Sequence, residues 1–165
     1  ELIRMGVDVI WCGDDFGGQN GMIMSPELWR EIFKPRIRTI FEAFRRENPN
    51  VKIAWHSCGS ILPIIPDFIE IGLDILNPLQ PLARDMDPLF LKRKFGRDLI
   101  FFGGIDVQEL LPYGHPQQIK DQVRHCIKVL GENGGYIVAP AHNIQNDTPV
   151  ENVLAMFEAV KSFGR

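Results

Sequence analysis

A histidine and a cysteine stand two residues apart in the segment IAWHSCGS, where an apolar run ends. Alternate residues of an extended chain point to the same side, so the side chains of His56 and Cys58 could bind one ion. Zinc favours imidazole and thiolate ligands, and a catalytic zinc has three protein ligands and one open position. The spacing predicts a metal site. The structural alternative is a packed cysteine beside a hydrogen-bonded histidine.

Other short apolar runs are also followed by side chains that could bind a ligand or transfer protons: Asp14 and Asp15, Asn77 and Gln80, Asp106, and His142 and Asn143. His142 is the candidate third zinc ligand, because imidazole is a common ligand of zinc. The carboxylates are the candidate catalytic groups, although Asp14 and Asp15 could instead order a glycine-rich turn. The three amide side chains are predicted to bind substrate.

Each of these residues lies at or just after the end of a short apolar run, and the chain alternates between such runs and helical patterns. The runs are predicted to be strands buried on both faces, and they cover residues 7–12, 52–56, 74–77, 99–102 and 136–139. Five β/α units in succession predict an α/β fold with a parallel sheet. Ligands of such folds bind at the carboxyl ends of the strands, so all the candidates are predicted to lie along one rim.

Two architectures fit this alternation, an open doubly wound sheet and part of a TIM (β/α)₈ barrel. The segment GDDFGGQNG is rich in glycine but matches neither of the usual phosphate-binding patterns. A complete barrel needs roughly 200 residues or more, so the chain would supply about five of the eight β/α units. We expect residues 1–165 to form a single domain, with segments that precede Glu1 in the natural protein.

Local signals mark several helix boundaries. Ser25 followed by Pro26 predicts a helix start, and Pro35 predicts a break soon after it. Asp87 before Pro88 predicts another helix start. Thr148, with a glutamate three residues later, predicts the N-cap of the last helix.

Composition excludes several classes of protein. The formal net charge of −3 offers no basic surface for nucleic acid. No apolar run approaches the roughly 20 residues of a membrane span, and no signal peptide is recognisable. Three cysteines without a repeating spacing favour a reducing compartment, the cytoplasm, over a disulfide scaffold.

Four motifs together resemble the uroporphyrinogen decarboxylase superfamily over essentially the whole chain: MSPELWREIFKPR, HSCGS, GGIDVQ and APAHNIQNDTPVENV. The resemblance implies the C-terminal part of that family's barrel. It also implies one of two chemistries, because the family contains metal-free decarboxylases and cobamide-dependent methyltransferases with an H-x-C…C zinc site. In the methyltransferases zinc activates a thiol that accepts a methyl group.

His56 and Cys58 match the first two ligands of the methyltransferase motif, whereas His142 stands where that motif has a cysteine. The H-x-C pair favours a zinc-dependent methyltransferase acting between a corrinoid, on a separate protein, and a thiol or methoxylated substrate. A histidine in a similar loop of the decarboxylases contacts substrate. The alternative is therefore decarboxylation of a tetrapyrrole in porphyrin biosynthesis, for which Arg84 is the one plausible rim arginine.

A third hypothesis is an incomplete barrel without activity of its own. Five β/α units leave two open sheet edges, and open edges are normally paired or covered. This predicts a homo-oligomer, or a partner that supplies the missing N-terminal half.

Overall fold

The computed structural model describes residues 1–164. Its strands are β1 (Val9–Gly13), β2 (Gly17–Gly18), β3 (Gly21–Met22), β4 (Lys52–His56), β5 (Ile75–Leu79), β6 (Ile100–Ile105) and β7 (Tyr136–Pro140). Its α-helices are α1 (Pro26–Ile32), α2 (Lys34–Glu47), α3 (Ile65–Glu70), α4 (Pro88–Phe95), α5 (Leu110–Tyr113), α6 (Pro116–Leu130) and α7 (Val150–Phe163). The five predicted strands are all present, with ends shifted by no more than three residues.

The main sheet has five parallel strands in the order β1-β4-β5-β6-β7, and β2 and β3 form a separate hairpin. A doubly wound sheet reverses its strand order at a switch point, whereas a barrel adds each strand beside the preceding one. The parallel strands follow one another without reversal. The fold is therefore α/β, with about five of the eight units of a TIM barrel.

Burial differs along the sheet. Every residue of the central strand β5 is buried, because neighbouring strands and the helices cover it. Burial alternates along β1, where Trp11 is 49% exposed. At the opposite edge Ile137 of β7 is 37% exposed. The two edges of the sheet therefore lack the cover that the centre has.

The helix starts follow the sequence signals with one exception. The Ser25 hydroxyl accepts a hydrogen bond from the Leu28 amide, and the Asp87 carboxylate accepts one from the Phe90 amide. The prediction of Thr148 as N-cap is wrong. Thr148 donates its amide to Gln145 in a turn, and Pro149 carries the first helical carbonyl.

Within residues 1–164, no helix combines the length and the apolar character that crossing a membrane requires.

Candidate metal centre

The site is built on the carboxyl ends of three neighbouring strands. Gly13 of β1, His56 of β4 and Asn77 of β5 are paired in register. Strands β1 and β4 approach closely here, since a Cβ atom on Gly13 would fall 2.6 Å from the Cβ atom of His56. The sequence therefore places a glycine beside the histidine, and the imidazole occupies the end of the sheet.

Three predicted metal ligands converge at this end. One ligand atom each from His56, Cys58 and His142 lies within 4.8 Å of the other two. The Cys58 Sγ is 3.4 Å from the His56 Nε2, and the two imidazole rings meet edge to face with centroids 5.9 Å apart. His142 reaches the others because it follows β7, where the Ala141 amide donates to Ile105 of β6. Two imidazoles and a thiol form a donor set suited to a catalytic zinc.

The electrostatics of the cluster also suit a cation. The Asp15 Oδ1 lies 3.6 Å from the His56 Nε2 and accepts a hydrogen bond from the Cys58 amide at 2.8 Å. A carboxylate, a thiol and an imidazole nitrogen thus surround the same small space. Such groups repel one another when they present lone pairs, and a cation between them removes that repulsion. The residues present therefore fit a divalent metal.

The loop that carries Cys58 is fixed by hydrogen bonds from two sides. The buried Gln80 side chain accepts from the Gly59 amide at 2.5 Å, and the fully buried Ser57 hydroxyl accepts from the Phe16 amide at 3.0 Å. Gly59 has φ +76°, and a Cβ atom there would collide with the backbone of Gly17 and Gly18. The thiol is therefore presented by a rigid turn.

The Cys58 thiol is protonated at neutral pH without a metal. Burial first, and then the charge and hydrogen bond of Asp15, raise the pKa of Cys58 to about 11. Burial alone raises the pKa of Cys12 to about 11. A metal ion would reverse this preference at Cys58, because coordination removes the proton of a thiol.

A cavity of about 470 Å³ opens beside the cluster. His56, Asn77, His142 and Asn143 contribute polar groups to it, and the substrate-binding roles predicted for Asn77 and Asn143 fit this position. The other walls are mainly apolar: Trp11, Pro78, Phe102, Pro140, Ala141 and Ile144. The cavity can therefore take a small, largely apolar ligand next to the ligand atoms.

Trp11 and Phe102 are site residues that the sequence analysis missed. Their rings meet edge to face at 5.3 Å, and the Trp11 ring centroid is 6.4 Å from that of His56. Alternation along β1 was the available signal. Trp11 and Cys12 face opposite sides, and Cys12 packs against the core.

The predicted polar residues divide into two groups. Asp14 and Asp15 line a second opening together with Trp11 and His56, and the carboxylate of Asp15 contacts the cluster. The amide oxygens of Asn77 and Gln80 bind His56 and the Gly59 amide, and Asn77 also lines the cavity. Three of the predicted residues, Asp15, Asn77 and Gln80, therefore contact the candidate ligands or their loop.

Asp106 lies elsewhere. It lines a different cavity, with residues of α5 and α6, and it is buried. Its carboxylate accepts hydrogen bonds from the backbone amides of Gln108, Glu109 and Leu110, at 2.8 to 3.0 Å. The structure does not bring Asp106 to the three metal ligands, and it gives the carboxylate a role in starting α5.

Comparison with known proteins points to one family. The family model of uroporphyrinogen decarboxylase (URO-D) matches residues 1–163. A methylated-thiol–coenzyme M methyltransferase from Methanosarcina mazei is 27% identical over 94% of this chain and 38% of its own length. A uroporphyrinogen decarboxylase from Trichodesmium erythraeum is 26% identical over 96% of this chain and 42% of its own length.

The solved structure of a methyltransferase from Methanosarcina mazei superposes with a TM-score of 0.76 at 24% identity. The match covers 99% of this chain and 44% of that protein. The similarity confirms the fold. The chain spans about two fifths of the length of the curated relatives named above.

Proposed function

The chain belongs to the uroporphyrinogen decarboxylase family, and on that premise we propose that it is part of a zinc-dependent methyltransferase. The proposed reaction transfers a methyl group between a corrinoid and a thiol or methoxylated substrate. The observation that carries the proposal is the convergence of His56, Cys58 and His142. A relative named for methylated thiols supports a thiol as the acceptor or the leaving group.

His56 Nε2, Cys58 Sγ and an imidazole nitrogen of His142 would hold the zinc. When bound, zinc supplies a Lewis acid that stabilises a thiolate at neutral pH. The apolar walls of the adjacent cavity, including Trp11 and Phe102, would seat the substrate and exclude water. Asp15, beside the Cys58 amide, would take up the proton that a thiol substrate loses.

The partners of this reaction follow from the same proposal. The corrinoid would come from a separate protein, since the cavity of about 470 Å³ suits a small substrate. We place the chain as a single domain in the C-terminal part of a barrel whose remaining units pair with the open edges of β1 and β7. The three cysteines are free thiols, which supports a cytoplasmic location.

The experiment is elemental analysis of the purified chain beside methyl transfer from methylcobalamin to a thiol. We expect about one zinc per chain, and loss of both zinc and transfer in Cys58→Ser. Cys12→Ser is the matched control, because that thiol packs against the core rather than in the cluster. Equal zinc and equal transfer in both variants would contradict the proposal.

A second candidate function is decarboxylation of a tetrapyrrole, which the relative from Trichodesmium erythraeum favours by its name. It requires no metal and predicts binding of a porphyrinogen by zinc-free protein. Arg84 would be its rim cation, but its side chain is 70% exposed and lies beside Asp85. Porphyrinogen binding that persists after chelation would favour this candidate over methyl transfer.

A third candidate is an incomplete barrel that needs a partner for activity. The exposed edge residues Trp11 and Ile137, and the exposed apolar residues Leu154 and Phe157 of α7, favour it. Light scattering of the purified chain tests it. A dimer or larger assembly would support a partner at these edges, whereas a stable monomer with full methyl transfer would contradict one.

A further inference from the structure

We infer that Asn77 is a positioning residue that fixes which nitrogen of His56 carries the proton. This inference rests on the proposed metal site, because it explains why the nitrogen that faces Cys58 would be free to bind a metal. It assigns Asn77 a task different from the substrate contact that its place on the rim suggests.

The two partners of the Asn77 amide fix its orientation. The side chain is buried, with 6% of the residue exposed, and both of its ends have partners. Its Nδ2 points at the carbonyl oxygen of Phe102 at 3.4 Å, a contact that an oxygen in that position would make repulsive. The amide oxygen therefore faces His56, 2.7 Å from Nδ1.

The orientation of the Asn77 amide determines which nitrogen of the His56 ring carries the proton. An amide oxygen accepts hydrogen bonds and cannot donate them, so His56 must carry its proton on Nδ1 to satisfy this contact. In the neutral ring Nε2 then has a free lone pair. The Cys58 Sγ lies 3.4 Å from Nε2, where its S–H can donate to that lone pair. These two hydrogen-bond partners favour the same tautomer, whereas the Asp15 Oδ1, 3.6 Å from Nε2, lies beyond hydrogen-bond distance.

A fixed acceptor for Nδ1 also strengthens metal binding at Nε2. A metal-binding histidine usually donates its other ring N–H to a fixed acceptor, which orients the ring, and loss of that acceptor weakens metal binding about 10–100-fold. Asn77 sits in register with His56 on the adjacent strand, and the Ser57 amide donates to the Asn77 carbonyl oxygen at 2.7 Å. The acceptor is thus anchored to the backbone that carries the ligands.

The experiment combines the ¹⁵N NMR shifts of the His56 ring in zinc-free protein with a zinc affinity measured by chelator competition. In the unmodified chain we expect the shifts of an Nδ1-protonated ring. In Asn77→Leu we expect Nε2 to become protonated in part of the population and the zinc Kd to rise about 10–100-fold. Asn77→Asp retains an acceptor for Nδ1 but turns its second oxygen toward the Phe102 carbonyl, so it should restore the tautomer and part of the affinity.

Asn152→Leu is the matched control. Asn152 is also buried, and its amide nitrogen donates to the carbonyl oxygens of Leu111 and Gly114, away from the metal ligands. The Asn152→Leu substitution should lower the free energy of unfolding without changing the ¹⁵N shifts of the His56 ring. An Nε2-protonated ring in the unmodified chain, or a Kd unchanged in folded Asn77→Leu, would overturn the inference.

Failure of the proposed function gives a different result. If the chain binds no zinc while the ring is Nδ1-protonated and depends on Asn77, the tautomer assignment stands and the metal site is wrong. If Asn77→Leu does not fold, the ring shifts of the unmodified chain still decide the tautomer.

Discussion

Two loops at the carboxyl ends of strands carry the predicted chemistry, and they differ in what their polar side chains bind. The loop after β4 presents His56 and Cys58 to each other and to His142, with a cavity beside them. The loop after β6 presents Asp106, whose carboxylate accepts three backbone N–H bonds of its own loop. Both groups occupy equivalent places on the rim.

The side chains at the two rim positions therefore differ in what they bind: Asp106 binds the backbone of its own loop, whereas His56 and Cys58 face other side chains. Three backbone amides bind the Asp106 carboxylate, which therefore stabilises its own loop. The ligand atoms of the β4 loop face one another, while the surrounding residues Asp15, Ser57 and Gln80 bind the backbone of the loops. Because these three residues bind the backbone, the side chains of the candidate ligands remain available to a metal.

Loss of the thiol should give the largest effect on zinc. Cys58→Ser removes the softest ligand, and we expect the zinc Kd to rise by more than the roughly 100-fold that loss of an outer partner costs. Chelator competition measures the Kd, with Cys12→Ser as the control. Equal affinity in the two variants would remove the distinction between the β4 loop and the rest of the rim.

The loop after β7 offers a matched pair of neighbours. His142→Ala should lose zinc, because it removes one of three ligands, whereas Asn143→Ala should keep it and weaken only substrate binding. Zinc content by elemental analysis and substrate Kd by calorimetry separate the two effects. Zinc retained in His142→Ala would limit the metal site to the β4 loop.

Substitutions of Asp106 in the loop after β6 should change the free energy of unfolding rather than zinc binding. Asp106→Ala leaves three backbone amides without their acceptor, and we expect a loss of about 1–3 kcal/mol in the free energy of unfolding. Asp106→Asn keeps one acceptor oxygen and should cost less. Urea denaturation measures both, and zinc content should not change. A loss of zinc with unchanged stability would place Asp106 in the metal site.

The smallest effect concerns the reactivity of the thiol in zinc-free protein. The pKa of Cys58 is about 11, so its alkylation rate should keep rising with pH to about that value. Asp15→Asn removes the negative charge that disfavours the thiolate, so the pKa should fall and alkylation at neutral pH should become faster. Cys12, whose pKa is raised by burial alone, should show no change.

The opposite result, equal acceleration at both cysteines, would indicate general loosening of the sheet rather than an effect of the Asp15 charge. Mass spectrometry of peptides that contain each cysteine distinguishes the two outcomes.

The sequence predicts the strands and two of the candidate metal ligands because both depend on local patterns. Short apolar runs give the strands, and H-x-C after one of them gives two ligands. A local pattern also indicates the role of Asp106, because an aspartate followed three residues later by Glu109 resembles a capping pattern. The choice between an open sheet and a barrel needed the strand order, which composition does not contain.

The partners of Asn77 and Gln80 could not be read from the sequence. Each side chain contacts a group 21 residues away on the neighbouring strand or loop, and that contact depends on register. Trp11 and Phe102 are 91 residues apart and meet only through the order of the sheet. Long-range register therefore determines the surroundings of the candidate ligands and brings His142 to them, whereas the pairing of His56 with Cys58 follows from local spacing.

X-ray absorption at the zinc edge of the zinc-loaded chain identifies the ligand atoms of the metal directly. We expect one sulfur ligand at about 2.3 Å and two imidazole nitrogens at about 2.0–2.1 Å, with the sulfur lost in Cys58→Ser. A shell of nitrogen and oxygen alone in the unmodified chain, or a sulfur that persists in the variant, would contradict a metal centre formed by His56, Cys58 and His142.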